Sequence, residues 1–461
     1  MDSTLDRLRR LQQLRPQRKS AAPQVAAPAA PPSAASPPSS PKASEASNPP
    51  SQPFRGRSRK LETLIPGDEV ETEHGAVYVV TKRYPIDEPR GALTAGQLLD
   101  HRPGALASLH SQFNLHDQLH FANAAFIDTE TTGLGGGAGV YAFMVGVGTY
   151  EQSLTSANYS EFVVRQLFMR NPGEEPALLS LLARLLADKN MTVTFNGRSF
   201  DLPLLRTRYF FNRGLVESGD MPPTLEEDGC HLDLLTPARR LWKRRLQSCR
   251  LINLESQILG LARSGEDVPG HLIPQLYIDY VNSNDARAMQ GVFYHNHEDV
   301  LTMVGIATEI YRTVCASEPT VQQNLDGLDW LSLGQIYEAQ SEWIAAENAY
   351  RSALNSVNDT PMLNDAFNRL GAMFKRLERW QEATELWERW LTTVPNVEST
   401  PYVELAKYYE WRNGDLEQAE MWTQWALHSL RKLPMHQRPP GQTSELEHRL
   451  MRIQRKREGG A

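Results

Sequence analysis

A repeated pattern of large and small residues in the last third of the chain constrains its fold most strongly. Seven positions recur 37 residues later: Trp330, Leu333, Gly334, Tyr337, Ala346, Tyr350 and Ala353 correspond to Phe367, Leu370, Gly371, Phe374, Ala383, Trp387 and Trp390. A third, less regular copy follows through Tyr402, Leu405, Ala406, Tyr409, Ala419 and Ala426. Such a period indicates stacked helical hairpins, in which small residues let two helices approach and aromatic residues fill the space between hairpins.

The spacing is close to the roughly 34 residues of tetratricopeptide repeats, which this segment resembles. The resemblance implies an all-α helical-hairpin array over residues 325–432, followed by a basic C-terminal tail over 433–461. It also implies a protein partner, bound in the concave groove of the array. Structural support of the neighbouring domain is the alternative role.

The first 58 residues predict little packed structure. Residues 1–15 carry a leucine stripe with several arginines and predict a short basic amphipathic helix. Residues 21–53 contain ten Pro, ten Ala and seven Ser and no aromatic residue. Because this composition buries too little apolar surface to offset chain entropy, we expect residues 1–58 to form a frayed helix and a disordered Pro/Ala/Ser-rich tail.

The middle of the chain predicts an α/β domain over residues 122–317, preceded by a lead-in segment over 59–121 that packs on it. Short apolar strands alternate there with longer helical patterns, which is typical of a mixed sheet flanked by helices. The predicted strands are Ala124–Ile127, Phe143–Thr149, Glu161–Phe168 and Thr192–Phe195, and the predicted helices are Ala177–Ala187 and Met289–Val314. The glycine-rich run 133–139 precedes another strand rather than a helix, so it predicts a tight hairpin and not a phosphate-binding loop.

Composition excludes several classes of protein. Three widely spaced cysteines make a disulfide framework or structural zinc site improbable and fit a reducing cytoplasm. No apolar run is long enough to span a bilayer, so we expect no membrane association. The net charge of −7 means that any nucleic-acid binding must come from local basic clusters.

Two carboxylates follow the apolar strand Ala124–Ile127. Asp128 and Glu130 are two residues apart, so on a strand they project from the same face. Two like charges placed together are costly unless a cation offsets them, and Mg²⁺ and Mn²⁺ prefer oxygen ligands. The pair therefore indicates a metal site, and a polar strand end is the alternative.

Two further motifs contribute acids. Asn196 ends a strand and Asp201 begins the next helix, where an ordinary helix cap is the alternative. His295 and Asp299 lie one helical turn apart, where a solvated polar helix end is the alternative.

The order of these motifs resembles the DEDD (DnaQ-like) 3′→5′ exonucleases, which have a ribonuclease H-like fold, and the text from His231 to Gly260 resembles their YprB-type branch. The resemblance implies a phosphodiesterase using two Mg²⁺ or Mn²⁺ ions, acting at the 3′ end of DNA or RNA. It implies metal binding and catalysis by Asp128, Glu130, Asp201 and Asp299, with His295 as the general base.

The residue spacing of the family does not identify the general base of this chain. Proofreading enzymes place Tyr with three intervening residues before the last Asp, or His with four, whereas here Tyr294 has four and His295 has three. At about 100° per residue, His295 is roughly 40° and Tyr294 roughly 140° from Asp299 around the helix. Helical geometry thus favours His295.

A basic cluster supplies candidate nucleic-acid contacts. Six cations and one aromatic residue fall between positions 239 and 250, and we expect phosphate and base contacts, together with Asn196, from Arg239, Arg240, Trp242, Lys243, Arg244 and Arg245. A plain solvated face is the alternative. Asp233 is interpreted as a salt-bridge partner of this cluster. For the whole chain, a catalytically idle scaffold that serves the repeats is the alternative to an exonuclease.

Overall fold

The computed structural model describes residues 59–110, 113–133, 139–152, 159–213, 221–315, 325–395 and 398–459. The predicted N-terminal helix and tail lie outside the described residues, as do positions 134–138 of the glycine-rich run. One compact unit spans residues 58–373, and a second contains residues 374–461. The predicted boundaries near 121 and 317 stay predictions.

Within the described residues of the first unit, seven strands form one mixed sheet in the order β1-β2-β7-β6-β5-β8-β9. The strands are β1 (Asp68–Thr72), β2 (Gly75–Pro85), β5 (Ala124–Thr131), β6 (Ala142–Gln152), β7 (Tyr159–Phe168), β8 (Met191–Thr194) and β9 (His231–Asp233). Neighbouring strands pair antiparallel along β1-β2-β7-β6-β5 and parallel along β5-β8-β9. A separate hairpin joins β3 (Pro89–Arg90) and β4 (Leu93–Thr94). The predicted α/β class is confirmed.

The helices of the first unit follow the predicted alternation. They are α1 (Leu61–Leu64), α2 (Glu175–Leu186), α3 (Asp201–Phe211), α4 (Leu235–Trp242), α5 (Leu251–Gln257), α6 (Ile273–Ser283), α7 (Met289–Val314), α8 (Gly327–Ala339) and α9 (Trp343–Ser356), and α10 (Thr360–Arg376) crosses into the second unit. Helix α7 buries Val292, Asn296, Val300, Met303 and Ala307. Because these positions recur every three or four residues, one face of α7 packs against the sheet.

The predicted lead-in segment supplies two strands to the central sheet. Strands β1 and β2 belong to the central sheet, where β2 pairs with β7 and places Val79 opposite Leu167. The side chains of Val77 and Tyr78 are buried. The partner strand β7 lies more than eighty residues away along the chain, and the apolar pattern within β2 does not identify that partner.

Helices α8 and α9 pack closely as the first predicted hairpin. A Cβ atom at Gly334 would overlap the Tyr350 ring, so the two helices approach because position 334 has no side chain. In the second unit, α11 (Trp380–Thr393), α12 (Thr400–Tyr408), α13 (Leu416–Lys432) and α14 (Gln442–Glu458) pack in succession, with a π-helical turn over Tyr409–Asn413. The predicted C-terminal helical array is confirmed, and its identity as tetratricopeptide repeats stays a prediction.

Among the described residues, no helix combines the length and apolar character needed to cross a bilayer.

Candidate functional site

The first two acids lie at the carboxyl end of the central strand. Asp128 and Glu130 are on β5, between the antiparallel strand β6 and the parallel strand β8. The β5–β6 register shifts between Glu130 and Thr131. Carboxyl ends of parallel strands collect functional side chains, because the loops and helices that follow these strands converge there.

Asp201 turns towards the same strand end. Its Oδ1 atom accepts hydrogen bonds from the backbone N–H of Thr129 at 3.0 Å and from the Thr129 hydroxyl at 2.6 Å. Asp201 is the first residue of α3, and the residue before it makes no side-chain cap. Through these two hydrogen bonds its carboxylate reaches β5.

Asn296 on α7 orients Asp128. Its amide Nδ2 donates to Asp128 Oδ2 at 2.8 Å, and its Oδ1 accepts from Gln166 Nε2 at 3.0 Å. A Cβ atom at Gly146 would overlap the Asn296 amide and lie 2.9 Å from Val300 Cγ2. The missing side chain at Gly146 thus gives the buried amide room to reach Asp128.

The fourth acid, Asp299, is held by an ion pair that the sequence did not predict. Arg263 pairs with Asp299, and it also contacts Glu255 at 2.8 Å and Asp267 at 3.3 Å. The side chain of Arg263 is 5% exposed and that of Glu255 is 2% exposed. A buried guanidinium therefore offsets part of the negative charge on this side of the site.

His295 and Tyr294 point to different partners. His295 Nδ1 lies 2.7 Å from Asp267 Oδ1, and its Nε2 lies 3.7 Å from Asp299 Oδ2. The Tyr294 hydroxyl accepts the backbone N–H of Ser264 at 2.9 Å. The imidazole thus faces the acids, whereas the phenol is engaged by the loop that follows α5.

Mutual repulsion marks the acids as one electrostatic cluster. Burial, followed by the charges of Asp299 and Asp201, raises the pKa of Asp128 well above its ordinary value. Burial and the charge of Asp128 do the same to the pKa of Glu130. Burial raises the pKa of Asp201 to about 6, against the hydrogen bonds from Thr129. A cation placed among these groups would relieve the repulsion.

Three of the acids line one groove. Asp128, Glu130 and Asp201 share a cavity of about 430 Å³ whose walls include Phe195 and Phe200. The Phe200 side chain is 58% exposed. The groove therefore places apolar surface beside the carboxylates.

The donor chemistry of these residues fits a hard divalent cation. All four candidate ligands offer carboxylate oxygens, which Mg²⁺ and Mn²⁺ prefer. In the described part of the chain, however, no group of three or more His, Cys, Asp or Glu side chains is arranged to hold a metal ion. The ion pair between Arg263 and Asp299 accounts for part of this, because it directs Asp299 to the guanidinium.

Part of the predicted basic cluster forms a second cavity beside the groove. Arg239, Lys243 and Arg250 line a cavity of about 670 Å³ that shares Phe195 and Asn196 with the acidic groove. Arg240, the residue after Arg239, is exposed but does not line this cavity. The two cavities meet at the end of β8.

Asn196 stands at that junction in a left-handed backbone conformation, with φ of 68°. Asp233 stabilises the turn, since its carboxylate accepts the backbone N–H groups of Asn196 at 2.8 Å and Arg198 at 3.2 Å. The interpretation of Asp233 as a salt-bridge partner of the basic cluster was wrong, because its oxygens serve this turn and the N–H of Leu235.

The other members of the cluster face the protein. Trp242 is 2% exposed and cannot stack on a nucleic-acid base in this conformation. Arg245 pairs with Asp329 at 2.9 Å, and Arg244 donates to Gln335 at 3.0 Å, so both contact helix α8. Helix α4 also ends at Trp242, so the cluster is not one continuous helix. The spacing of charges along a sequence does not show which of them meet buried acids.

Arg263, Asp267 and Asn296 were missed as site residues. Asn296 carries a signal, since it interrupts the apolar stripe of α7 with a buried amide. Arg263 and Asp267 lie in a loop and reach the site only through the packing of α5 against α7. No local pattern predicts such a contact.

Two comparisons relate the chain to known proteins. A family model described as the RNase H superfamily matches residues 125–311, a range that contains all four acids. The chain is also 31% identical over 308 residues to the uncharacterized protein YprB of Bacillus subtilis (strain 168). This similarity covers 64% of the chain and 67% of YprB.

Proposed function

We propose that this chain, which belongs to the family of YprB and matches the RNase H superfamily over residues 125–311, is a metal-dependent nuclease that removes nucleotides from the 3′ end of a nucleic acid. The observation that carries the proposal is the convergence of Asp128, Glu130 and Asp201 on one groove, with Asp299 close enough to raise the pKa of Asp128. These acids come from three separate parts of the sequence. A cluster of mutually repelling carboxylates is costly for stability, which favours a functional role for it.

The four acids would hold the divalent cations. When bound, a pair of Mg²⁺ or Mn²⁺ ions supplies Lewis acidity at the scissile phosphate and at the leaving 3′-oxygen. Asn296 keeps Asp128 in one orientation through its 2.8 Å hydrogen bond. Arg263 sets the position of Asp299 from the opposite side.

His295 would accept the proton of the attacking water at its Nε2 atom. Its Nδ1 atom lies 2.7 Å from Asp267. In this arrangement Nδ1 carries the proton and donates it to Asp267, so the lone pair of Nε2 is available on the side of the four acids. The Tyr294 hydroxyl is engaged by Ser264 and is not directed to this place. Asp267 is thus a positioning residue for the base.

The two adjoining cavities give a path for a single strand. The terminal nucleotide would lie in the acidic groove against Phe195 and Phe200, and the preceding phosphates would lie in the basic cavity near Arg239 and Lys243. Cations that contact phosphates bind without regard to base sequence. Asn196, at the junction, would hydrogen-bond the strand between the two.

The helical array would recruit the nuclease to a protein partner. Its aromatic and small residues are used in packing, as Gly334 against Tyr350 illustrates, so recognition would fall to its exposed residues. Binding of peptides or proteins in a concave surface is typical of repeat arrays.

End-labelled oligonucleotides test the proposed activity. With Mn²⁺, linear DNA or RNA labelled at its 5′ end should be shortened stepwise from the 3′ end, and a circular oligonucleotide of the same sequence should survive. Asp128→Asn should abolish hydrolysis, whereas Asp188→Asn, which alters an exposed acid outside the site, should not. Equal cleavage of the circle would contradict exonuclease action, and activity that persists in Asp128→Asn would contradict the assigned site.

A catalytically idle scaffold is the second candidate. The ion pair between Arg263 and Asp299 favours this second candidate, because the pair engages an acid that the proposed catalysis requires. The same assay separates the two candidates: an idle scaffold leaves linear DNA and RNA intact in Mg²⁺ and in Mn²⁺.

A further inference from the structure

A group of basic side chains in the second unit shares too few acids to be neutral. Three of them form ion pairs with the buried Glu410: Arg449 at 2.6 Å, Arg452 at 2.8 Å and Lys456 at 3.0 Å. The three cations lie on one face of α14, because residues three and four positions apart are neighbours on a helix. One carboxylate offsets only one of these three charges.

A neighbouring acid is shared in the same way. Lys375 and Lys407 both pair with Glu404, which lies close enough to Arg449 to influence its pKa. Burial and the positive charge of Arg452 lower the pKa of the Arg449 guanidinium. Across the two acids, five cations meet two carboxylates, so three positive charges are left for solvent ions or a ligand to offset.

An exposed tryptophan lies beside these cations. Trp411 is 57% exposed, and the guanidinium carbons of Arg449 and Arg452 lie 4.6 Å and 5.9 Å from the centre of its ring. Trp411 follows Glu410 in the π-helical turn Tyr409–Asn413. The side chains of Arg452 and Lys456 are 47% and 45% exposed. A large flat ring and two half-exposed cations are thus available to one ligand.

Single-stranded nucleic acid offers a partner for each of these groups. Its phosphates contact cations, and its unpaired bases stack on aromatic rings. An acidic peptide matches the charge but does not repeat a ring for Trp411 to stack on. The N-terminal segment 1–58 carries nine Lys and Arg against three Asp and Glu, so its net charge has the wrong sign.

We propose that Trp411, Arg452 and Lys456 form a binding surface for single-stranded nucleic acid. This surface is additional to the groove and the basic cavity of the proposed nuclease, and it concerns binding alone. It therefore does not depend on the nuclease activity.

The salt dependence of binding tests the two cations. A short fluorescent oligothymidylate is titrated with the full-length protein in EDTA, so that divalent cations are absent and the strand stays intact, and anisotropy reports binding. The double variant Arg452→Gln, Lys456→Gln should bind more weakly and flatten the plot of log affinity against log salt by about 0.7 for each lost phosphate contact. Arg449 is kept, so the buried Glu410 retains a cation.

The double variant Arg83→Gln, Arg431→Gln is the matched control, because it changes the net charge equally. Both arginines are at least half exposed and pair with glutamates other than Glu410 and Glu404. The partner of Arg431 is Glu447, which lies about 160° from Arg449 around α14. This control should keep the wild-type salt slope.

The tryptophan is tested with two strands of equal length, an oligothymidylate and an abasic strand that has the same phosphates but no bases. Trp411→Leu should weaken binding of the oligothymidylate about tenfold, which corresponds to one stacked base. It should leave binding of the abasic strand unchanged.

Three results would overturn the proposal. They are a wild-type salt slope in the Arg452→Gln, Lys456→Gln variant, equal weakening of both strands by Trp411→Leu, and competition by an oligoglutamate of equal charge as strong as that by the oligothymidylate. The last result would assign the surface to an acidic peptide. If circular dichroism shows that the double variant does not fold, Lys456→Gln alone takes its place.

Arg239→Ala, in the basic cavity, separates this surface from the proposed nuclease site. Weaker binding in Arg239→Ala but not in the Arg452→Gln, Lys456→Gln variant would overturn the surface and leave the nuclease proposal standing. Weaker binding in the double variant of a protein that does not hydrolyse nucleic acid in Mn²⁺ would support the surface and contradict the nuclease.

Discussion

Replacing Arg263 by methionine should destabilise the protein strongly. The guanidinium contacts three carboxylates, those of Asp299, Glu255 at 2.8 Å and Asp267 at 3.3 Å. Methionine keeps much of the side-chain volume but removes the charge and the donors. Three partly or fully buried carboxylates then lose their shared cation.

Burial sets the magnitude of this loss. The side chains of Arg263 and Glu255 are 5% and 2% exposed, so solvent screens their interaction weakly. Removing one partner of a buried ion pair costs about 3–5 kcal/mol, mainly because a charge stays buried without compensation. Arg83→Met is the matched control: Arg83 also pairs with two glutamates, but it is 50% exposed, and such pairs contribute about 0–1 kcal/mol.

Urea unfolding monitored by tryptophan fluorescence, in the absence of divalent cations, measures both variants against the wild type. We expect Arg263→Met to lower the free energy of unfolding by several times the loss in Arg83→Met. Losses of about 1 kcal/mol or less in both variants would contradict this expectation, since Arg263 would then behave like an exposed ion-pair partner.

Three further outcomes are expected. Gly146→Ala should cost about 1–3 kcal/mol in urea unfolding through overlap with the Asn296 amide. Gly139→Ala should be close to neutral, because its Cβ would have no atom of the described residues within 4 Å. Burial raises the pKa of Asp201 to about 6, so the stability that its protonated form contributes is present below a pH of about 4 and is lost as the pH rises through about 6. Asp201→Asn should flatten this part of the pH profile of unfolding, measured without metal. An unchanged profile would contradict the raised pKa. In single-turnover hydrolysis of an oligonucleotide, His295→Ala should lower the rate by about 10²- to 10⁴-fold and Tyr294→Phe should have little effect, and the reverse result would identify the tyrosine as the base.

The sequence predicts well what depends on neighbouring residues. Strand alternation places Asp128 and Glu130 on one face of β5, and the apolar period of α7 predicts a helix with the observed bounds, Met289–Val314. The period of 37 residues predicts the approach of α8 and α9 at Gly334. These features follow from side-chain directions that are fixed within a few residues.

Contacts between distant segments were not predictable. The six cations after position 238 look alike in sequence, yet Arg245 meets the buried Asp329 whereas Arg239 lines an open cavity. Arg263 comes from a loop, and neither its charge nor its spacing shows that it reaches Asp299. Such partners depend on how helices pack, which charge patterns alone do not encode.

Melting in the presence of Mn²⁺ shows whether the acids from separate segments form one divalent-cation site. A ligand that binds only the native state raises the melting temperature. We predict that Mn²⁺ raises the melting temperature of the wild type and of Asp188→Asn, and that the double variant Asp128→Asn, Glu130→Gln shows no such rise. A double variant that responds to Mn²⁺ as the wild type does would contradict the site.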